Sequence, residues 1–454
     1  MSATSPLDAI VKAYDIRGTF PDELNTDITR ALGVAFAVFT GAPRILVGRD
    51  MRASGVGLVG AFAEGVRSHG VDVVDLGMVS TDLVYFAAGK LDAPGAMFTA
   101  SHNPAQYNGV KFCLSGARPV GADSGLAEVK AYAEAVLAGA GPASSPTPGK
   151  ATEEDLLDAF ADHVVSFVDV DSIAPLKVVA DTANGMGGLI VPKVFERLPQ
   201  VQLEVMYGEL DGSFPNHPAD PIQPANQLDL QARVVAGGFD LGLAFDGDAD
   251  RVFVVDETGR GLSGSTTTAM LAAGMLARSP GATILHNLIC SRVVPEVIRE
   301  HGGIPIRTKV GHSYIKQIMA ETGAVFGGEH SAHYYFRDNY RADSGIIATM
   351  LVLEQVSQAG VALSTVRKPF ERYAASGEIN TEVADPASVI ERVAGVYAGA
   401  AQDRLDGLTV DAGSWWFNLR PSNTEPLLRL NLEADDRPAC DEHVAEVLSV
   451  ITAA

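Results

Sequence analysis

The stretch Thr99-Ala-Ser-His-Asn-Pro104 follows the apolar run Ala96-Met-Phe98 and sets a serine hydroxyl beside a histidine, with a proline at the exit. A strand that ends by lifting Ser101 into a loop next to His102 presents a nucleophile. The same six residues also read as an ordinary Ser/Asn turn. Further along, Asp246-Gly-Asp-Ala-Asp250 follows a second apolar run, residues 241–245. Aspartates at alternate positions of an extended loop point one way, and three like charges so placed repel unless a cation sits among them. Oxygen ligands without cysteine or histidine suit Mg²⁺, whereas the plainer alternative is a solvated acidic turn. A calcium EF-hand is excluded, because Arg251 stands where the sixth-position glycine is needed and a strand precedes the loop.

Two more polar loops carry donors and acceptors. Arg420-Pro-Ser-Asn-Thr-Glu-Pro426 offers a guanidinium, two hydroxyls, an amide and consecutive turn N–H groups, an inventory that holds a phosphate and equally serves a hairpin turn. Gly327-Gly-Glu-His-Ser-Ala-His333 spaces Glu329 and Ser331 to accept from and donate to neighbouring sugar hydroxyls, or to satisfy each other locally. Basic side chains stand beside these loops: Arg17 in Tyr14-Asp-Ile-Arg-Gly18, Lys111 in Tyr107-Asn-Gly-Val-Lys111, Arg251, and Lys309 in Lys309-Val-Gly-His312. Taken singly, each reads as a surface or ion-paired residue, and His312 or His333 as structural histidines.

The elements that must carry the loops repeat three times. Runs at 44–50, 177–185 and 282–287 each lead into a helical pattern and a second strand, which predicts α/β units with largely parallel sheets. A third strand in each unit, expected at 96–98, 241–245 and 324–326, runs into one of the polar loops. Ligands of open α/β sheets sit beyond the carboxyl ends of strands, so three copies facing one cleft bring three loops together. Residues 139–150, rich in Gly, Ala, Ser and Pro, read as a linker, and Lys368-Pro369 opens a last segment of different pattern. There, two strands about the phosphate-type loop and a helix over 438–450 form a small α+β domain. The expected fold is therefore three similar α/β domains with mixed, largely parallel sheets, at 1–150, 151–255 and 256–367, and a smaller C-terminal α+β domain at 368–454, around a central cleft.

With 454 residues, 47% of them hydrophobic, the chain can bury several cores. A net charge of −22 argues against nucleic acid or an anionic membrane as partner, and leaves small phosphorylated ligands held by locally gathered cations. Cys113, Cys290 and Cys440 are far apart and read as buried thiols rather than disulfides or a zinc site. No signal peptide or membrane span is read near the start, so a cytoplasmic protein, a monomer or a weak homo-oligomer, is expected.

Together these stretches resemble the α-D-phosphohexomutase superfamily, and within it the bacterial phosphomannomutase/phosphoglucomutase branch, over essentially the whole chain. Four loops of its types occur here in its order: Ser-His-Asn-Pro, Asp-Gly-Asp-x-Asp-Arg, Gly-Glu-x-Ser and Arg-x-Ser-Asn-Thr. The resemblance implies interconversion of hexose 6-phosphate and hexose 1-phosphate through phosphoserine and a hexose 1,6-bisphosphate. It implies that Ser101 carries the phosphoryl group and that Asp246, Asp248, Asp250 and the serine phosphate bind Mg²⁺. Glu329 and Ser331, with Tyr14, Lys309, Gly311 and His333, would meet the sugar. Arg420, Ser422, Asn423 and Thr424 would hold the phosphate that does not react. His102, Lys111, Arg17, Arg251 and His312 are the candidate catalytic neighbours, with Arg17, Lys111 and His312 considered for the general base. At His330 and Ala332 the chain departs from the Met and Gly more usual in dual-specificity members, which leaves mannose against glucose open. A metal-dependent phosphatase and a non-catalytic sugar-phosphate binder are the rival readings.

Overall fold

A computed structural model describes residues 5–422 and 427–453. The three repeats share one sheet plan. In the first, Gly95–Phe98 lies between the parallel Arg44–Arg49 and the antiparallel Tyr107–Leu114, with Asp72–Met78 outside Arg44–Arg49. In the second, Leu241–Phe245 lies between Lys177–Asp181 and the antiparallel Val252–Asp256, with Gln202–Met206 outside. In the third, Phe326–Gly328 lies between Thr283–Asn287 and the antiparallel Tyr334–Phe336, with Ile304–Thr308 outside. Each chemistry-bearing loop therefore joins the last parallel strand to an antiparallel return strand. Both of its ends are pinned in the ladder, and it projects from one edge of the sheet.

Those return strands did not stand out in the sequence, because wholly buried runs such as Val252–Asp256 lack the alternation that marks a strand with one wet face. The third central strand also starts two residues later than expected, so Gly327 and Gly328 belong to the sheet rather than to the loop. Gly328 has room for no side chain, as Thr268 approaches its Cβ position to 2.4 Å. The first sheet takes in two more edge strands, Ile16–Thr19 beside Tyr107–Leu114 and Ala151–Glu153 beside Asp72–Met78.

The C-terminal unit is larger than two strands and a helix. Its antiparallel sheet runs Ala374–Glu382, Leu427–Ala434, Trp415–Pro421, Leu408–Asp411, Ala401–Asp403, backed by Pro386–Val396 and Arg437–Thr452. The edge strand Ala374–Glu382 alternates exposed and half-buried residues and carries charge, so little apolar content signals it.

Apolar packing separates this last unit from the others. One continuous core joins residues of the first three units, from Leu46 through Phe245 to Leu363, while Val393, Phe417, Leu430 and Val447 form a core confined to the fourth. Apart from Phe370 and Tyr373, which pack on the larger core where the fourth unit begins, polar contacts join the third and fourth units: Arg292 donates its N–H to Glu433 at 3.0 Å and its guanidinium to Asp411 at 2.6 Å, and Arg372 pairs with Glu300. A polar seam of that kind permits relative motion far more readily than a shared apolar core. The three cysteines are buried and free. No single described helix is long and apolar enough to cross a membrane.

Where the first and third units meet, Asp82 is fully buried and accepts hydrogen bonds from Ser80 and, at 2.6 Å, from Ser344. Burial pushes its carboxyl from 3.8 up to about 7, despite both serines. An acid whose folded value lies above its unfolded one loses stability as pH rises between the two values. The loss of melting temperature between pH 5 and pH 8 should therefore be smaller in Asp82→Asn than in the wild type, as read by differential scanning calorimetry.

Candidate active site

Ser101 and the aspartate loop meet. The Ser101 hydroxyl donates to Asp246 Oδ2 at 2.8 Å across a sequence separation of 145 residues, and Arg251 Nη2 donates to Ser101 Oγ at 3.4 Å. Ser101 adopts a left-handed backbone, φ 50°, which a side chain tolerates only where its surroundings hold it. The holder is Arg52, 1% exposed, which spends all five of its N–H groups there. Nε bonds Asp50 at 3.1 Å; Nη1 bonds the carbonyls of Pro104 and Tyr107 at 2.7 and 2.9 Å; Nη2 bonds those of Ser101 and Asn103 at 2.9 and 2.6 Å.

The three carboxylates converge, but not by the extended alternation expected. Residues 246–250 form a tight turn, closed by Ala249 N–H on Asp246 O at 3.1 Å with Ala249 left-handed at φ 61°, and one oxygen of each aspartate lies within 4.8 Å of the others. The turn carries Gly247 against the serine loop: a Cβ there would meet the Ser101 carbonyl oxygen at 2.4 Å. Gly247→Ala should separate the two loops and lower turnover about 10²-fold, checked by steady-state kinetics, since displacements near 1 Å cost that much in positioned chemistry.

Lys111 reaches in from the return strand and bonds Asp248 Oδ2 at 2.8 Å and Asp250 Oδ2 at 2.7 Å. Burial alone would lower this ammonium, yet the two carboxylates outweigh it and hold Lys111 well above its usual value. Burial likewise works to raise Asp248, but Lys111 and a 2.6 Å bond from Thr81 hold it well below the carboxylate range. Asp246 goes the other way: burial, with Asp248 and Asp250 adding and Arg251 opposing, pushes it well up. Two buried oxygens, Asp248 Oδ1 and Asp250 Oδ1, have no hydrogen-bond partner among the described residues. Unmatched buried carboxylate oxygens facing one another are the donor set of a hard divalent cation, so these residues fit Mg²⁺.

Of the three base candidates, Lys111 is thus held as a cation. Arg17 bonds Asp15 at 2.7 Å and Asn103 Oδ1 at 2.5 Å, which keeps it a positioned cation as well. The side chain of His312 lies outside the described residues, and so do Asn423 and Thr424. His102 sits with Nδ1 3.3 Å from Ser101 Oγ. Burial, then Arg251 and Arg17, push its ring well below the usual histidine value, so it is neutral at pH 7.

The sugar-type loop joins the same cleft, since Arg251 and His333 pair across the backbone and His333 Nε2 stands 3.6 Å from Asp250 Oδ1. Ser331 Oγ lies 3.0 Å from His333 Nδ1. Glu329 is 2% exposed and accepts from Asn287 Nδ2 at 3.1 Å, from Gly311 N at 3.2 Å and from Tyr335 OH at 2.7 Å. Gly311, at φ 130°, lets the Tyr14 ring approach within 3.0 Å of where its Cβ would be. Tyr14 is raised by burial, then by Asp15 and Glu329, while Arg17 and Arg420 pull it down, so charges of three units act on one phenol. Arg420 bonds Glu378 at 2.8 Å, and Arg429 reaches Ser422 Oγ at 3.4 Å. Lys309 lies apart from the carboxylates, its ammonium 5.8 Å from the centre of the Tyr314 ring.

Arg52, Thr81, Asn287 and Tyr335 were not singled out by sequence. Only Arg52 left a trace there, as a second arginine in Gly48-Arg-Asp-Met-Arg52 at a strand's carboxyl end.

Four family models, for the α/β/α domains I, II and III and the C-terminal domain of phosphoglucomutase/phosphomannomutase, match residues 8–136, 158–260, 263–373 and 378–450 in turn. The chain belongs to the phosphoglucomutase/phosphomannomutase family. A phosphomannomutase of Salmonella montevideo is 39% identical over 449 residues, which is 97% of this chain and 98% of that one. Phosphohexose mutases of Xanthomonas campestris pv. campestris are 41% identical over 426 residues, 93% of this chain and 94% of theirs. Among solved structures, a phosphoglucomutase/phosphomannomutase family protein from Burkholderia thailandensis superposes with a TM-score of 0.88 at 32% identity, covering 98% of both chains. For a phosphoglucomutase/phosphomannomutase family member, the four loops lie one to a domain, in the order in which the family models match.

Proposed function

We propose that this enzyme is a phosphomannomutase that interconverts mannose 6-phosphate and mannose 1-phosphate through phospho-Ser101 and a hexose 1,6-bisphosphate. The observation that carries the reading is the 2.8 Å contact of Ser101 Oγ with Asp246, which unites the nucleophile loop with the carboxylate cluster. In the forward half-reaction the bond from phosphorus to Ser101 Oγ breaks as a bond to a free sugar hydroxyl oxygen forms, and the proton of that hydroxyl ends on the freed Ser101 oxygen by way of Asp246, its 2.8 Å neighbour. The bisphosphate then reorients, and its other phosphoryl group returns to Ser101 Oγ. In that return the hydroxyl proton of Ser101 leaves along its 2.8 Å hydrogen bond to Asp246 Oδ2.

Asp246, Asp248 and Asp250 would hold Mg²⁺ beside the serine phosphate. Bound there, the ion offsets charge on the transferring oxygens. Arg251 contacts the serine oxygen, and Lys111 offsets part of the charge of Asp248 and Asp250, which lowers the repulsion a phosphoserine dianion would meet. The three donors that hold Glu329 in one orientation support a sugar-binding role for its loop. Arg420, with its Nε buried and unbonded among the described residues, supports the phosphate-holding role of its loop, together with Ser422, Asn423 and Thr424. The separate core and polar seam of the fourth unit support its opening while the intermediate turns.

Side-by-side turnover of mannose 1-phosphate, glucose 1-phosphate and glucosamine 1-phosphate, with trace hexose bisphosphate, tests the reading. Mannose 1-phosphate should turn over fastest, and chelation of divalent ions should stop the reaction. Free phosphate released without the 6-phosphate isomer would make it a phosphatase instead. The 41% identity to phosphohexose mutases supports a second reading, a dual-specificity enzyme, for which glucose 1-phosphate would turn over at a comparable rate.

A further inference from the structure

A second cavity lies on the seam between the first and third units. It has a volume of about 350 Å³ and is walled by the end of the first sheet on one side and the helix His312–Thr322 on the other. Its surface is largely apolar, with Leu114, Tyr314 and Tyr340 among the walls. On a chain with 56 acidic and 34 basic residues, the charged residues among its described lining are Arg118, Lys316 and Arg341, all cations. Such local reversal of sign in an acidic protein concentrates anions. Tyr340 and Arg341 both hold left-handed backbones, φ 53° and 65°, so this wall is fixed by its surroundings at a strain cost.

Lys316 stands between this cavity and the carboxylate cluster. It is 2% exposed, 2.7 Å from Asp343 Oδ1 and 3.6 Å from the centre of the Tyr85 ring. Asp343 Oδ2 lies 4.0 Å from His333 Nε2, which lies 3.6 Å from Asp250 Oδ1. An anion seated in the cavity would draw Lys316 away from Asp343 and leave that carboxylate less screened, 4.0 Å from His333, which borders the metal-type loop.

We propose that this seam cavity binds an amphipathic carboxylate, a monoanion with an apolar arm, and that its occupation alters turnover at the Ser101 site. A phosphate dianion fits less well, because apolar walls repay less of its desolvation. The volume is of the size that holds a small aromatic acid.

The probe is 3-phenylpropionate, with 3-phenylpropionamide as its uncharged match, each titrated calorimetrically into the full-length protein. The acid should bind at least about tenfold tighter than the amide, the difference a charge-assisted hydrogen bond provides. Arg118→Glu, at an exposed position remote from the catalytic loops, should keep basal turnover and lose about tenfold or more in acid affinity. Saturating acid should change kcat/KM of the wild type and not of Arg118→Glu. Absence of saturable binding, equal binding of acid and amide, or indifference to Arg118→Glu overturns the site. Binding with unchanged turnover overturns its coupling. Because the binding arm reads no activity, its failure is distinguishable from failure of the mutase assignment.

Discussion

Ser101→Ala should abolish isomer formation, lowering kcat by a factor on the order of 10⁴ or more, while the protein stays folded. Among the described residues, Ser101 Oγ is the hydroxyl that donates to Asp246, and Arg251 meets it there. Removing it deletes three hydrogen-bond contacts, with Arg251, Asp246 and His102, but leaves the Arg52 scaffold on the backbone carbonyls intact. Two measurements separate loss of chemistry from loss of fold. Incubation with radiolabelled hexose 1,6-bisphosphate should label wild type and not the variant, and the variant's melting temperature should stay within a few degrees of the wild type. Retained turnover would remove the nucleophile and with it the phosphoserine route.

Arg52→Lys should lower kcat about 10²-fold and cost about 2 kcal/mol or more of stability, although no substrate atom touches residue 52. A lysine keeps the charge but carries three donors on one tetrahedral nitrogen, against five in a planar fork. Arg52 bonds four carbonyls between Ser101 and Tyr107 as well as Asp50, and a lysine can reach at most part of that set. The carbonyls left buried and unbonded would relax toward water or other donors, and the left-handed Ser101 would lose what fixes it. The expected signature is a fall in kcat with KM for sugar phosphate nearly unchanged, because the sugar and phosphate loops lie elsewhere. A KM effect equal to the kcat effect would show that Arg52 acts on the cleft as a whole.

Much of this site was legible in the residues. Each loop follows an apolar run that only a buried strand explains, and its side chains are costly to place there without a ligand. Ser101, Asp246, Asp248 and Asp250 stand together as those runs implied. Where the reading changed, tertiary contacts changed it. Lys111, a candidate base by its position, lies between two carboxylates 137 and 139 residues away and is held as a cation. The aspartates point inward because Ala249 turns the chain, a conformation that alanine does not announce.

What the sequence by itself determined is the inventory and order of the loops and the α/β repeats that carry them, because apolar runs and turn residues act within a few positions of themselves. Only the tertiary structure decided which groups meet: Ser101 with Asp246, Arg52 with the serine loop, Lys111 with Asp248 and Asp250, Glu329 with Asn287 and Tyr335. Most of these pairs lie tens to well over a hundred residues apart, and their protonation follows from burial and neighbouring charge. Neither periodicity nor composition encodes that, since burial is a property of the packed domains and not of any one segment.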